Sequence, residues 1–505
     1  MASDNGAVTR RYAFVGTGHR AQMFFDALLG SHADVGRPVA LCDVNTTRMG
    51  YYNEMWTAAR ADAVPLPTYA PERFGAMLEA ERPDAVVVTT PDHTHADFIS
   101  AALLRGCDVV TEKPLTTDLR GCQVILDAAR RSPANLFLTF NYRYSPRNAK
   151  VKELVAGGAI GQVTSVHFEW VLDTVHGADY FRRWHREKAN SGGLLVHKST
   201  HHFDLVNWWL DAVPETVFAM GDLRFYGARN AAQRGLGARP PRSHGAAGAA
   251  DDPFALDLAG SPRLARLYLD AEHEDGYLRD RDVFSDGITI EDNMAVLVAY
   301  ADRALLTYSL NAHAPWEGYR VAINGTAGRL ELDVCERAHV TAGSAGRVVD
   351  PSAEPHGGTA HAAADAASGT AGTAALAGTA GTAGATATAG AHPRRPHTTL
   401  VLQRHWEPAQ HVEVVEGEGS HGGGDALLLD DIFRGAHDDD PLGRQAGLLD
   451  GIRSVAVGVA ANRAIAGGQV VAVADLGLGL PARDVAHPGR PAGRTSGSAA
   501  IGHTT

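Results

Sequence analysis

Cysteine is scarce in this 505-residue chain: Cys42, Cys107, Cys122 and Cys335 are scattered, with no CxxC spacing among them. That scarcity argues against a disulfide scaffold or a cysteine-built zinc site and predicts unpaired thiols in a reducing cytoplasm. Long apolar runs are also lacking. None approaches the roughly 20 residues that a membrane span requires. The Arg10–Arg11 pair has the look of a twin-arginine export signal, but the apolar stretch after it, YAFVG, is too short and runs straight into a glycine turn. It predicts a first strand instead. Basic tracts are missing too, and the net charge is −12, so nucleic acid and anionic membrane surfaces are poor partners and a small solute is the better one. What the chain does have is 45% apolar residues, enough for cores in two or three domains.

From Arg11 to about Asn141 short β-branched runs alternate with longer helical ones: YAFVG, a helix from about Ala21, PVALCDV, DAVVVTT and CDVVTEK. Strands interleaved with helices imply βαβ units and a parallel sheet. From about Gln162 longer strands follow one another through turns such as Asn324–Gly325, which predicts a mostly antiparallel sheet with helices on one face. The expected architecture is α/β: a dinucleotide-binding Rossmann domain over 10–141, then an α+β domain over 142–350 and 398–478. Residues 351–397 are mostly Ala, Gly and Thr with almost no large apolar side chain and cannot bury enough surface to offset their ordering entropy, so they read as a disordered insertion between two strands. The tail over 481–505 reads the same way, and so, more weakly, does the stretch from Arg229 to about Gly260.

After the first strand comes Gly16-Thr17-Gly18-His19-Arg20-Ala21, a GxGxxG turn with Ala in the last place. The first glycine allows the tight turn, the second lets the backbone approach a pyrophosphate, and the small last residue permits close helix packing. At the end of the second strand Asp43 stands where a carboxylate can accept from both ribose hydroxyls, which favours NAD over NADP. Arg48 nearby keeps NADP open.

The segment Ser191–Leu210, SGGLLVHKSTHHFDLVNWWL, crowds three histidines, a lysine and an aspartate into eight positions. Read as one helix, it places His197, His201, Asp204 and Trp208 along one stripe, with Lys198, His202, Leu205 and Trp209 beside it. The HxxxH spacing suggests zinc, but Lys198 directly after the first histidine would repel a cation; no metal site is expected. Between His176 and Lys188, the residues Tyr180, Arg183, Trp184 and His185 mix aromatic faces with donors, as a polyhydroxylated ring needs. His421, in SHGGGD, lies in a glycine-rich loop suited to lining a sugar pocket; with no GxSxG anywhere, an esterase reading of HGGG fails.

Further segments, TTPDHTHADF (Thr89–Phe98) and VVTEKPL (Val109–Leu115), end predicted strands, where open α/β sheets bind ligands. Together with the glycine turn, Asn141 and Arg143, AGGAIGQV and the histidine-rich segment, they make the chain resemble the Gfo/Idh/MocA family of NAD(P)-dependent oxidoreductases. The resemblance implies a hydride transfer between a nicotinamide and a sugar or polyol hydroxyl. It places Thr90, Pro91, His95 and Glu112 near the cofactor, with the Glu-Lys-Pro lysine, Lys113, and the later histidine, His201, flanking the reacting carbon. It also places Arg143, Lys198, His202 and Asp204 near the substrate. It further implies a homodimer or homotetramer paired through the exposed sheet face. The chain departs from the family pattern at His197, where aspartate is usual, at Ser199 in place of glycine and at Asp92 in place of asparagine. His197 therefore joins Lys113 and His201 as a candidate for the proton transfer. Two other readings stay open: a glycosidase- or lyase-type enzyme that oxidises its sugar transiently on a recycled NAD, and a non-catalytic NAD-binding sensor.

Overall fold

A computed structural model describes residues 9–60, 62–340, 394–415, 423–435 and 440–479. The expected insertion, the tail and His421 lie, wholly or nearly so, outside the described residues.

The first half alternates strand and helix: β1 (Arg10–Val15), α1 (Ala21–Leu29), β2 (Gly36–Cys42), α2 (Thr46–Ala59), β3 (Thr68–Tyr69), α3 (Phe74–Glu81), β4 (Ala85–Val88), α4 (His95–Leu103), β5 (Asp108–Thr111), α5 (Leu119–Arg130) and β6 (Leu136–Leu138). The strands form one parallel six-stranded sheet in the order β3-β2-β1-β4-β5-β6. That order reverses direction between β1 and β4, and the crevice at such a switch point is where a doubly wound sheet takes a dinucleotide. Strand β4 is AVVV with every residue buried, as a strand covered on both faces must be.

The second half contributes α6 (Pro146–Ala156), β7 (Val163–Asp173), α7 (His176–Arg182), α8 (Leu194–His197), α9 (Thr200–Leu210), β8 (Pro214–Asp222), α10 (Ala228–Gln233), β9 (Asn293–Tyr300), β10 (Leu305–Ala314), β11 (Glu317–Gly325), β12 (Gly328–Arg337), β13 (His397–Arg404), β14 (Gln410–Val412), α11 (Gly424–Arg434), α12 (Leu448–Gly467) and β15 (Val471–Ala472). Its nine-stranded sheet runs β14-β13-β12-β11-β7-β10-β9-β8-β15, antiparallel except where β7 pairs parallel with β10. Strict alternation in β9, NMAVLVAY, buries Met294, Val296, Val298 and Tyr300 and leaves the other face open. Strands β12 and β13 are direct neighbours, so the low-complexity stretch joins two adjacent strands. The four cysteines are buried and unpaired. Among the described residues no helix is long and apolar enough to cross a membrane.

Two expectations need correction. The stretch 229–260 is not structureless; it carries most of α10 and is held by ions rather than by a core of its own. Arg239 binds Asp252 and Asp282, Arg242 binds Glu272 and Asp280, and Arg182 donates to the Phe254 carbonyl. A reading built on apolar spacing misses such ties. The histidine-rich segment, in turn, is not one helix. It breaks at Lys198–Ser199, between α8 and α9, where the amide of Ser199 reaches back to the Leu194 carbonyl and that of His201 only to Lys198. The break leaves His197 as the last residue of α8 and His201 in α9.

Candidate active site

At the switch point Gly16 has φ +85°, and a Cβ there would come within 2.6 Å of the Thr89 and Thr90 backbone, so only glycine lets the turn lie against the end of β4. Thr89 donates to the Gly16 carbonyl at 2.5 Å. Asp43, at the tip of β2, accepts from the Thr17 amide and hydroxyl and from the Asn45 amide at 2.5, 2.8 and 2.9 Å. A Cβ on Gly18 would meet only the Tyr268 hydroxyl, at 3.5 Å. The turn thus offers bare backbone at Gly18 with a carboxylate beside it, a cradle that fits a dinucleotide's pyrophosphate and ribose. Arg20 ties this turn to the Glu-Lys-Pro loop through a 2.6 Å bond to Glu112. His95, fully buried, sets one ring nitrogen 2.9 Å from the Pro114 carbonyl and the other 2.9 Å from that of Thr90; it fastens the loop carrying Thr90 and Pro91 to the one carrying Lys113.

Lys113, at the end of β5, meets the second half of the molecule. Its Nζ lies 3.5 Å from His197 Nε2 and 3.3 Å from the His197 carbonyl. His197 Nδ1 lies 2.5 Å from Asp92 Oδ2. With Asp92 ionised, as the Lys113 charge favours, its carboxylate only accepts, so Nδ1 carries the proton and Nε2 turns its lone pair toward the ammonium. Burial pushes the His197 pKa well below 6.5, and the charges of Lys113, Arg183 and Lys198 add to that. Burial likewise lowers Lys113 from 10.5, opposed by Asp92 and Glu112, and raises Asp92 well above 3.8, opposed by Lys113. These shifts favour the neutral form of the His197 imidazole.

The residues from α7 onward surround this pair. Tyr180, Trp184 and His185 have ring centroids 5.5, 5.9 and 4.3 Å from that of His197, and Trp184 stacks on His185 at 3.7 Å. Arg183 is held by Asp179 at 2.5 Å. His176 bridges Glu317 and the Tyr180 hydroxyl at 2.5 and 3.1 Å. Lys198 donates to the Tyr142 hydroxyl at 3.0 Å, its pKa pushed down to about 8 by burial and by Lys113.

Four further sequence candidates make other contacts. His201 packs its ring 4.5 Å from Tyr142 and 5.7 Å from Phe140. His202 is fully buried, stacked on Trp170 at 4.1 Å and bonded to the Tyr308 hydroxyl at 2.7 Å. Arg143 and Asp204 hold each other in a two-pronged pair at 2.7 and 2.5 Å, with Asp450 on Arg143 at 2.8 Å. Burial pushes Asp204 up to about 7 against that arginine. Sequence reasoning missed Asp179, and it missed the contacts of Tyr268, Glu274 and Asp275 with the nucleotide end, all of which come from far along the chain with no local pattern to announce them. Among the described residues no group of three or more His, Cys, Asp or Glu side chains is gathered as a metal would need.

Comparison with known proteins matches the two halves separately. The profile described as the oxidoreductase family's NAD-binding Rossmann fold covers residues 10–140, and that of its C-terminal alpha/beta domain covers 152–352. A Bacillus subtilis (strain 168) protein named as an oxidoreductase, YteT, is 35% identical over 423 residues, 81% of this chain and 86% of that one. Inositol 2-dehydrogenase of Rhizobium meliloti (strain 1021) is 31% identical over 136 residues, 27% of this chain and 39% of that one. In fold, the chain is similar to an Agrobacterium radiobacter oxidoreductase solved with NAD+, L-tartaric acid and magnesium, at TM-score 0.54 and 13% identity over 93% of this chain and 100% of that one.

Proposed function

The chain belongs to the Gfo/Idh/MocA family of oxidoreductases, and on that premise we propose that it transfers a hydride between NAD and a secondary hydroxyl of a sugar or polyol, with Lys113 and His197 handling the proton. The observation that carries this reading is the approach of the Lys113 ammonium to within 3.5 Å of a neutral imidazole anchored on Asp92. Gly16, Thr17, Gly18 and Asp43 would hold the dinucleotide, with Thr90, Pro91 and Glu112 at the adjoining strand ends. When bound, the nicotinamide supplies the hydride acceptor or donor.

The chain's own residues supply the rest. A hydroxyl that bridges Lys113 Nζ and His197 Nε2 from the open side would give its proton to Nε2, while the ammonium stabilises the developing alkoxide. Asp92 fixes the ring's tautomer and accepts from the imidazolium that forms. Tyr180 and Trp184 offer apolar faces for the sugar ring, and Arg183, Lys198 and His185 offer polar contacts around it. We assign Arg143, Asp204 and His202 to holding α9 in place through the ion pair and the Trp170 and Tyr308 contacts described above, and His201 to packing against Tyr142.

A screen of free sugars, polyols and sugar acids with NAD and with NADP, followed by absorbance of the reduced nicotinamide, tests the reading. Net reduction of NAD by at least one polyhydroxylated substrate is expected. Absence of turnover throughout, with NAD binding intact, would overturn it.

A further inference from the structure

Residues 263–275 belong to the second half in sequence yet lie along the first half, beside the glycine turn and α2. Leu264, Leu267 and Tyr268 are buried in the cluster that holds Phe14, Phe24 and Tyr52, so an apolar anchor fixes this strap independently of its charges. Tyr268 accepts from the His19 amide at 3.0 Å, and the Ala271 carbonyl accepts from Asn45 at 2.8 Å. These contacts bring the strap to the tip of β2, where the adenosine ribose is recognised in a doubly wound fold.

What the strap does there is chemically specific. A nicotinamide dinucleotide that carries a 2′-phosphate needs positive charge near that tip, from an arginine or from the free amides of a helix start. Arg48 is the nearby arginine, and it is spent: it donates to the Leu267 carbonyl at 3.1 Å, binds Asp275 at 2.6 Å and lies 3.6 Å from Asp43. The first turn of the 14-residue α2 is spent as well. Glu274 accepts from the Thr46 amide and hydroxyl at 2.5 and 2.9 Å, from the Thr47 amide at 2.8 Å and from the Thr47 hydroxyl. A carboxylate of this chain therefore already fills the anion position, and a second one neutralises the cation.

We propose that Glu274 and Asp275 select NAD against NADP, by occupying the helix start and the arginine that a 2′-phosphate would need. The inference rests on the cofactor reading above and adds two determinants to Asp43. Asp43 alone repels a phosphate from one side; the strap removes the compensating charges on the other.

Calorimetric titration of the full chain with NAD, NADP, 5′-AMP and 2′-AMP tests this without a substrate. The expected wild-type result is NAD bound at least about tenfold more tightly than NADP. Glu274→Gln should raise NADP and 2′-AMP affinity about tenfold, and the double variant with Asp275→Asn further, while NAD and 5′-AMP change by less than about threefold. Thermal melting of each variant, with Glu153→Gln on the distant α6 as control, reports whether the fold is kept; the single variant Asp275→Asn serves if Glu274→Gln does not fold. Unchanged NADP affinity in folded variants, an equal loss for both dinucleotides, or a wild type that prefers NADP would overturn the inference while leaving the cofactor site standing. A wild type that binds neither dinucleotide would overturn both readings.

Discussion

His197 and His202 stand five residues apart in one short segment, both among aromatic rings, and only the first has charged groups on its nitrogens. Around His197 aromatic rings, Tyr180, Trp184 and His185, are joined by two charged groups that bond its nitrogens, Asp92 and Lys113. Around His202, and His201 beside it, the walls are aromatic: Trp170, Tyr308, Tyr142 and Phe140. All three imidazoles are buried, so burial alone does not distinguish a proton carrier from a packing ring. The neighbours do. His197 offers a lone pair to a crevice shared with a cation, whereas His202 closes a stack of rings inside the second half.

The sharpest way to break this contrast is by substitution. Lys113→Ala and His197→Ala should each cost about a thousandfold in kcat with NAD affinity within about threefold, whereas His201→Ala should cost less than about tenfold. Equal losses at 197 and 201 would erase the distinction. Asp92→Asn comes next, at about a hundredfold, because an amide NH2 facing Nδ1 would move the ring proton to Nε2 and block the acceptor; steady-state rates check it.

The pH profile sharpens the same comparison. Burial lowers the His197 pKa, so its basic form persists below pH 6.5, and burial lowers Lys113 from 10.5. Oxidation should therefore stay level through neutrality, fall on the acid side only once His197 takes a proton below 6.5, and fall on the alkaline side before 10.5 as Lys113 loses its charge. The smallest effect on rate belongs to His202→Ala. It should leave kcat within about threefold at low temperature and cost about 2–4 kcal/mol of stability, read by denaturant unfolding.

Much of the fold was legible because it is written locally. The turn from Gly16 to Ala21 follows a strand and starts a helix within a dozen residues, and the alternation in β9 needs only its own eight residues. The site was legible in its parts and not in its assembly. Lys113 and His197 are 84 residues apart; the sequence named both, with His201, as candidates for the proton transfer, but only the folded chain shows the approach of Lys113 to His197. A helical wheel drawn through the segment does not show this, since it cannot place the break at Lys198–Ser199, where Lys198 bonds to Tyr142 and Ser199 to Tyr308. The ionic ties over 229–260 escaped for a similar reason, because an arginine in sequence does not say whether an aspartate waits for it.

The tie between Arg143, Asp204 and Asp450 bears on the order in which the molecule is made. Residues 143 and 450 are separated by 307 positions, so during synthesis the helix carrying Asp204 waits for α12 to leave the ribosome before its arginine is fully satisfied. Catalytic competence would thus arrive late, well after the nucleotide half has collapsed. A stop codon ahead of residue 448 removes the helix that packs Ile452 and Val455 into the cluster of Val86, Leu115 and Leu138, and the truncated chain should show no turnover.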